Sequence, residues 1–295
     1  MDADSERRKG EWLVFSNIFL WGLFPVFTAL SLTFIPSLVS YTWSSTFAAL
    51  FFAIVITFRR KWFELRNHEL WKYGMGILLF IGILYYGFYF IGLSYTTPGN
   101  AAIISLFEVF TSFVFFHVLR REHISGVHIL GAALMVIGAV IVLGRNFAGI
   151  NTGDVLILLA TLASPAGNLY QQKARQVASS ESVMFLRTLT TVPAAFLLAS
   201  LFGMSASSGE IRSALIILIL NGVLFFGLQK VLWIEAIHRI SVTKSVALSS
   251  LAPLVTLVAA WALLNQAPTP WQLLSLVPFV LGTLLLTDQI GFKRM

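Results

Sequence analysis

The sequence predicts an all-α integral membrane protein with ten transmembrane helices. Of its 295 residues, 57% are apolar and 11% are charged, and the mean hydropathy is +0.83. Soluble domains contain roughly 25% charged residues, so this chain has too few charges to cover the surface of a water-soluble protein. The second observation is a series of apolar stretches of about 20 residues, the length that crosses a bilayer as a helix.

Ten apolar stretches of spanning length follow one another along the chain. Together they use most of the residues, so no independent soluble domain is expected. The first stretch follows the charged run Glu6–Lys9 and is longer than the apolar core of a signal peptide, so we interpret it as an uncleaved span. The predicted spans are 12–34, 37–58, 71–94, 98–119, 124–144, 153–173, 182–202, 213–237, 242–264 and 270–288.

The basic residues are distributed unevenly between the two sides that these spans define. Sixteen of the 20 Lys and Arg residues lie at the termini and in alternate loops, whereas Arg145 and Arg212 lie in the other loops and Arg187 and Lys230 lie within spans. Cytoplasmic loops carry the excess of basic residues. We therefore expect both termini in the cytoplasm and a location in the cell (inner or plasma) membrane. The net charge of +7 reflects this orientation and predicts no nucleic-acid partner.

A shift of the sequence by 145 residues aligns its two halves. Thr96–Ile124 then pairs with Ser241–Thr269, span 4 falls on span 9, and span 5 falls on span 10. A repeat with an odd number of spans places the halves upside down relative to each other, which is the usual construction of alternating-access transporters. We predict two inverted five-helix repeats, residues 1–148 and 149–295. The aligned identities are Ala102 with Ala247, Ser105 with Ser250, Leu106 with Leu251, Thr111 with Thr256 and Leu119 with Leu264.

Five short motifs follow one another along nearly the whole chain: Leu20-Trp21-Gly22, Arg121-Glu122-His123-Ile124 with Gly131, Gly153-Asp154-Val155-Leu156, Trp233 to Ile240, and Leu251-Ala252-Pro253-Leu254. Their order and spacing resemble the drug/metabolite transporter superfamily, in particular its EamA-type members. The pattern departs at Glu108, which has Pro253 as its counterpart, and at Ala267, where an acidic turn residue would fall. The resemblance implies a ten-helix fold with a central cavity lined by spans 1, 3, 4, 6, 8 and 9.

Glu108 is the strongest candidate for a functional group within the membrane. It lies at the middle of span 4, roughly 15 Å from either end at 1.5 Å per residue, too far for its carboxyl to reach water. Ionisable groups at this depth are functional candidates, so we predict that Glu108 contacts a substrate amine or exchanges protons. The alternative is a permanently protonated acid that is hydrogen-bonded within the bundle.

Two basic residues lie inside spans, and the tilt of helical side chains separates their predicted roles. Side chains lean toward the amino end of a helix, which directs Lys230 in span 8 toward the depth of Glu108. Lys230 is expected to line the cavity as an ion partner of Glu108 or as an anion anchor, with snorkelling as the alternative. The same tilt carries Arg187 in span 7 toward the headgroups, so snorkelling is expected there.

Further candidates for substrate binding are polar and aromatic residues of the same spans. Intramembrane tyrosines need hydrogen-bond partners, and small polar residues near Glu108 suit a cavity wall. Proline interrupts helices, and interruptions in matched spans point toward a binding site, although prolines also simply bend helices. The substrate-binding candidates are Trp21, Tyr86, Tyr89, Ser105, Ser112, Asn168 and Ser249 with Glu108 and Lys230; those for gating or kinks are Pro25, Pro165 and Pro253.

Several kinds of chemistry leave no signature in the sequence. The chain contains no cysteine, and His123 and His128 without further ligands are interpreted as loop or interface residues. No GxxxxGK[ST], GxSxG or HExxH motif occurs. We therefore predict no catalytic residue, no metal and no cofactor, and secondary rather than ATP-driven transport.

The predicted function is a secondary transporter that moves a small organic metabolite by alternating access, and the family resemblance implies export as its direction. An acid and a lysine at similar depth favour an amino-acid-like zwitterion. Protons as coupling ion, and a monomer or a homodimer in the lipid bilayer, remain open. The alternatives are an intramembrane lipid-modifying enzyme, which needs two or more converging acids or histidines, and a non-transporting membrane scaffold.

Overall fold

The structure, a computed structural model, describes residues 3–120, 125–143, 151–237, 239–240 and 242–289. Over these ranges the chain is almost entirely helical and has no β-strand. Eight helices in them are long and apolar enough to cross a membrane. These observations confirm the predicted all-α membrane class.

We label the helices in chain order, beginning with those before residue 144. The predicted spans 37–58, 71–94, 98–119 and 124–144 reappear within three residues in this region, whereas α1 begins nine residues before the predicted span 12–34. The helices are α1 (Ala3–Leu32), α2 (Ser37–Phe58), α3 (His68–Ile77, π-helical Leu78–Tyr85 and Tyr86–Leu93), α4 (Pro98–Ser105 and Phe107–Arg120) and α5 (Gly126–Leu143), with a short 3-10 helix, Trp62–Arg66, before α3.

The second set of helices follows the same pattern. Two of them, α6 and α10, are not among the eight: α10 has only 17 residues, and α6 carries polar residues such as Asp154 and Asn168 along its length. The helices are α6 (Thr152–Arg175), α7 (Ser180–Leu201), α8 (Ser208–Leu220, π-helical Asn221–Leu228 and Gln229–Ile237), α9 (Val242–Ser249 and Ala252–Leu264) and α10 (Pro270–Leu286).

Local sequence signals fix where several helices start. Thr97 caps α4 by accepting a hydrogen bond from the Asn100 N–H, and Pro98 occupies the first turn, where no backbone donor is needed. The pairs Ser207 with Glu210 and Thr269 with Gln272 form reciprocal capping boxes at α8 and α10. With these caps α4 and α10 start at the predicted residues 98 and 270, whereas α8 starts five residues before the predicted 213.

Helical irregularities occur at matching places in the two parts of the chain. α3 and α8 each contain an eight-residue π-helical segment. α4 is interrupted at Leu106 and α9 at Leu251, and the N–H of each leucine bonds to the carbonyl three residues earlier, at 3.0 and 3.1 Å. The two leucines are the pair that the 145-residue shift aligns. π-Bulges and broken helices are frequent at functional sites.

The most extensive helix packing joins one half of the sequence to the other. α1 packs on α8 and α9, α6 packs on α3 and α4, α2 packs on α7, and α5 packs on α10. At the contact of α3 with α6, a Cβ added to Gly153 would lie 2.5 Å from the carbonyl oxygen of Gly92. Only glycine allows this backbone approach, which is how lipid-embedded helices gain packing without a hydrophobic driving force.

Candidate functional site

A small cavity of about 50 Å³ lies where the two broken helices meet α1 and α3. Residues beside the interruption of α4 and residues beside the interruption of α9 both line it. Ligand pockets usually have several hundred Å³, so in this arrangement the helices leave room for water rather than for a metabolite. Its walls are Trp21, Pro25, Tyr89, Ala102, Ser105, Leu106, Glu108, Ser249, Ala252, Pro253 and Thr256.

Glu108 borders this cavity from the first turn after the break in α4. Its carboxylate oxygen Oε1 accepts a short hydrogen bond from the Ser164 hydroxyl and a second from Asn168 Nδ2 at 3.2 Å. Asn168 also donates to Ser164 at 3.1 Å, and Gln171 Nε2 donates to Asn168 Oδ1 at 3.0 Å. The carboxyl is thus held by a polar face of α6, and no basic side chain of the described residues lies within 4.0 Å of it.

Lys230 lies on the α8 side of the same region, beside the cavity wall. Its Nζ is 4.8 Å from the centre of the Trp21 ring, a cation–π contact. It is near enough to Glu108, Tyr86 and Arg187 to interact electrostatically with each of them. Lys230 contacts the lining residue Trp21 but is not itself one of the residues that line the cavity.

Arg187 corrects a prediction. Its side chain is only 5% exposed, and the guanidinium carbon lies 5.1 Å from the centre of the Tyr86 ring. Snorkelling toward headgroups is therefore wrong for this residue. The tilt rule gives the height of a side chain along the membrane normal but not the direction in which the helix faces, and this face of α7 packs inward against α2 and α3.

Aromatic rings fill the space between these charged groups. Tyr86 and Tyr89 are 2% and 1% exposed, and Phe24 contacts both rings, with centroids 6.3 and 5.5 Å away. The Tyr85 hydroxyl also faces the Glu108 carboxyl. The structure thus places both predicted tyrosines centrally, Tyr89 in the cavity wall and Tyr86 beside the two cations.

The small polar candidates fall into different surroundings. Ser105 and Ser249 line the cavity; the Ser105 hydroxyl donates to the Ala101 carbonyl at 2.7 Å, while the buried Ser249 hydroxyl has no hydrogen-bond partner among the residues that the structure describes. Asn168 lies one step behind the wall, bonded to Glu108. Ser112 is half-buried on α4 and is not one of the lining residues.

The proline candidates do not mark the interruptions in the way the sequence suggests. α1 is continuous through Pro25 and α6 is continuous through Pro165. The breaks are in α4 and α9 instead, and Pro253 lies in the first turn after the second break, where a missing N–H costs nothing. Pro25 and Pro253 both line the cavity.

A second buried polar cluster lies at the amino-terminal end of α6. The Asp154 carboxylate accepts hydrogen bonds from Asn100 Nδ2 at 3.2 Å and from the Thr96 hydroxyl, and Gln272 Nε2 donates to Asn100 Oδ1 at 2.8 Å. From the sequence, Asp154 was found only as part of a family motif, and this cluster was not predicted. The signal was the pair of unusual buried amides, Asn100 and Gln272, near helix starts.

At the opposite end of α6, Glu64 links the 3-10 helix to the start of α7. Burial alone would raise the pKa of the Glu64 carboxyl, but hydrogen bonds from the Ser179 hydroxyl and backbone N–H, with Ser182 and Lys61 nearby, lower it to about 2. Arg59 and Glu181 add an ion pair of 2.6 Å across the same junction. Polar contacts therefore join the two halves of the chain at both ends of the bundle.

The described residues contain no group of three or more His, Asp or Glu side chains arranged to hold a metal ion. His128 bonds to Asp288 at 3.1 Å, and His123 lies outside the described residues. The region around the cavity offers one carboxylate, two cations, hydroxyls and aromatic faces.

The sequence of the chain matches one family twice. Residues 8–144 and residues 151–288 each match the EamA-like transporter family. The chain belongs to this family. The match confirms the resemblance to the drug/metabolite transporter superfamily and the presence of two repeats, and it establishes a multi-pass membrane protein of a transporter family.

Solved structures share the fold of this EamA-like chain. One of them, described only as the crystal structure of a protein, superposes with a TM-score of 0.67 over 94% of this chain and 95% of that chain, at 19% sequence identity. At this identity the likeness shows the fold alone. No curated protein matches the chain in sequence.

Proposed function

We propose that this EamA-like protein is a secondary transporter that moves a small organic metabolite by alternating access. The observation that carries the proposal is the position of Glu108, which borders the cavity between the halves while α6 of the other half holds its carboxylate. Movement of one half relative to the other would change both the cavity and these hydrogen bonds, so solute binding and helix motion are physically coupled.

The proposed architecture is ten spans in two inverted repeats, residues 1–148 and 149–295. The matched π-helical segments of α3 and α8 and the matched breaks of α4 and α9 support it. The packing supports it as well: α1 packs on α8 and α9, as its counterpart α6 packs on α3 and α4. In the proposed arrangement, a two-fold rotation that exchanges the halves would turn one set of contacts into the other.

The proposed solute is an amino-acid-like zwitterion. Glu108 would bind its ammonium group, while Lys230 would bind its carboxylate, and Trp21 and Tyr89 would pack on the apolar part. Export is the proposed direction, with both termini cytoplasmic because the basic residues cluster in alternate loops. Protons are proposed as the coupling ion, exchanged at Glu108.

Transport by the purified full-length protein in proteoliposomes tests this proposal. A thermal-shift screen against amino acids, nucleosides, sugars and common drugs first identifies a solute, because a bound ligand raises the melting temperature.

Glu108→Gln should then lower uptake at least about tenfold, the effect of losing one charge-assisted contact, and should flatten the pH dependence of uptake. Glu210→Gln, an amide substitution in the exposed capping box of α8, is the matched control. Full uptake with an unchanged pH profile in Glu108→Gln would overturn the proposed role of Glu108 in binding and proton exchange.

The enzyme alternative predicts two or more acids or histidines converging at one depth. In the described part of the chain, Glu108 is the acid that borders the cavity, so the geometry favours transport. The scaffold alternative predicts that simultaneous replacement of Glu108 by Leu and Lys230 by Met leaves every transport readout intact, which the same uptake assay decides.

A further inference from the structure

Two cations lie against aromatic rings in this region: Arg187, which is buried, and Lys230, which is half-buried. The Arg187 guanidinium lies over the Tyr86 ring, 5.1 Å from its centre, and the Lys230 ammonium lies over the Trp21 ring at 4.8 Å. Nη1 of Arg187 also makes a weak contact with the Met184 sulfur at 3.7 Å. Both cations thus lie against aromatic faces.

Neither cation has a carboxylate within 4.0 Å among the described residues. A buried charge without an ion partner is costly in a membrane bundle, and cation–π contacts offset part of that cost. Arg187 and Lys230 also repel each other. An anion that entered between them would relieve both effects, so the pair has the electrostatics of a site for negative charge.

The three charged residues of this region match a solute that carries more charged groups than a simple zwitterion does. Arg187 and Lys230 contribute two positive charges, and Glu108 contributes one negative charge on the cavity side. A simple zwitterion would neutralise Lys230 and Glu108 and would leave Arg187 without a counter-charge. A solute with two anionic groups and one ammonium group would neutralise all three residues.

We propose, on the basis of the transport function proposed above, that the solute is an amino acid with an acidic side chain, bearing two anionic groups and one ammonium. Arg187 binds one anionic group with its planar fork of donors, Lys230 binds the other as a point charge, and Glu108 binds the ammonium. Both rings that hold the cations, Tyr86 and Trp21, yield these contacts to the solute when the helices separate.

Uptake of matched solutes by the purified full-length protein in proteoliposomes tests the inference. The set contains glutamate, its neutral isostere glutamine, succinate without an ammonium, and O-phosphoserine as the phosphate counterpart. Glutamate should exceed glutamine and succinate by about tenfold or more, the equivalent of one lost charge contact. The ratio of glutamate to O-phosphoserine identifies whether carboxylate or phosphate is the second anionic group.

Variants of Arg187 assign the second anionic group to its partner. Arg187→Gln should lower glutamate uptake about tenfold and abolish the preference over glutamine, whereas Arg187→Lys should retain a preference for glutamate. Arg212→Gln, on an exposed arginine at the start of α8, is the matched control. Melting temperatures with and without glutamate, measured on every variant, separate loss of binding from loss of folding.

Three outcomes distinguish this inference from the function on which it rests. Equal or better uptake of glutamine by the wild-type protein overturns the acidic class and leaves a zwitterion transporter. Loss of glutamate preference in Arg212→Gln, or its retention in Arg187→Gln, overturns the role of Arg187. A folded protein that neither takes up nor is stabilised by any metabolite in the wider screen overturns both proposals.

Discussion

The hydroxyl of Ser164 donates a hydrogen bond to Oε1 of Glu108, which joins α6 to the broken helix α4 beside the cavity. Asn168, one turn further along α6, donates to the same oxygen at 3.2 Å. These bonds connect residues of different family repeats. They must therefore rearrange whenever the two repeats move relative to each other, and a solute ammonium that approaches Glu108 competes for the same carboxylate.

Ser164→Ala removes one of the two donors to Glu108 while adding no bulk. A hydrogen bond to a charged group contributes about 1.5–3 kcal/mol, so the melting temperature of the purified protein should fall by a few degrees. Solute uptake should fall in parallel because the carboxylate is less well oriented. Ser213→Ala is the control, since the exposed Ser213 hydroxyl bonds only to the Gly209 carbonyl of its own helix among the described contacts. A melting temperature equal to that of the control would show that this contact contributes no stability.

The sequence predicted the all-α membrane class and the bounds of most helices, because apolar length and helix-capping residues act locally. It did not predict Ser164 as the partner of Glu108. That contact depends on how α4 and α6 are rotated about their axes, and hydropathy carries little information about rotation when helices are apolar on nearly every side. The same limit explains the wrong expectation for Arg187.

Gly153→Ala tests the close approach of α3 and α6. The added Cβ would lie 2.5 Å from the Gly92 oxygen and 2.7 Å from the Tyr95 carbonyl carbon, both backbone atoms that cannot rotate away. Overpacking of this kind costs about 1–3 kcal/mol, so a drop of several degrees in melting temperature is expected.

Gly87→Ala is the matched control for the glycine experiment. A Cβ at Gly87 meets nothing within 4 Å, and alanine is favoured over glycine in a helix by about 0.5–1 kcal/mol. This variant should melt at the same temperature as the wild type or slightly higher. A Gly153→Ala protein as stable as Gly87→Ala would contradict the tight packing of these two helices.

The junction at Glu64 should weaken in acid. The folded pKa of about 2 lies below the ordinary value of 4.5, so the stability that this carboxylate contributes is fully present above about pH 4.5 and is lost as the pH falls toward 2. The melting temperature of Glu64→Gln should therefore be lower than that of the wild type at pH 7, and the gap should narrow below pH 4.5. A gap that stays constant from pH 7 to pH 3 would mean that the charge of Glu64 is not what stabilises the junction.

The interruptions of α4 and α9 show a further limit of sequence reasoning. Proline positions pointed to α1 and α6, yet both helices are continuous at Pro25 and Pro165, and the chain breaks at Leu106 and Leu251 instead. A break depends on which backbone hydrogen bonds tertiary packing can replace, and leucine carries no local signal for it. The 145-residue alignment had already paired these two leucines without indicating why.

The central claim is that the cavity beside Glu108 opens alternately to the two sides of the membrane. Thiol labelling tests this claim. The chain has no cysteine, so a single substitution reports on one site without background. Ser249→Cys places a thiol in the cavity wall, and Val258→Cys, on the same helix with a 63% exposed apolar side chain, serves as the lipid-facing control. In vesicles of either orientation, a membrane-impermeant thiol reagent should label Ser249→Cys from both sides and Val258→Cys from neither, and bound solute should protect Ser249→Cys. Labelling of Ser249→Cys from one side only, or from neither side in a protein that still transports, would contradict alternating access through this cavity.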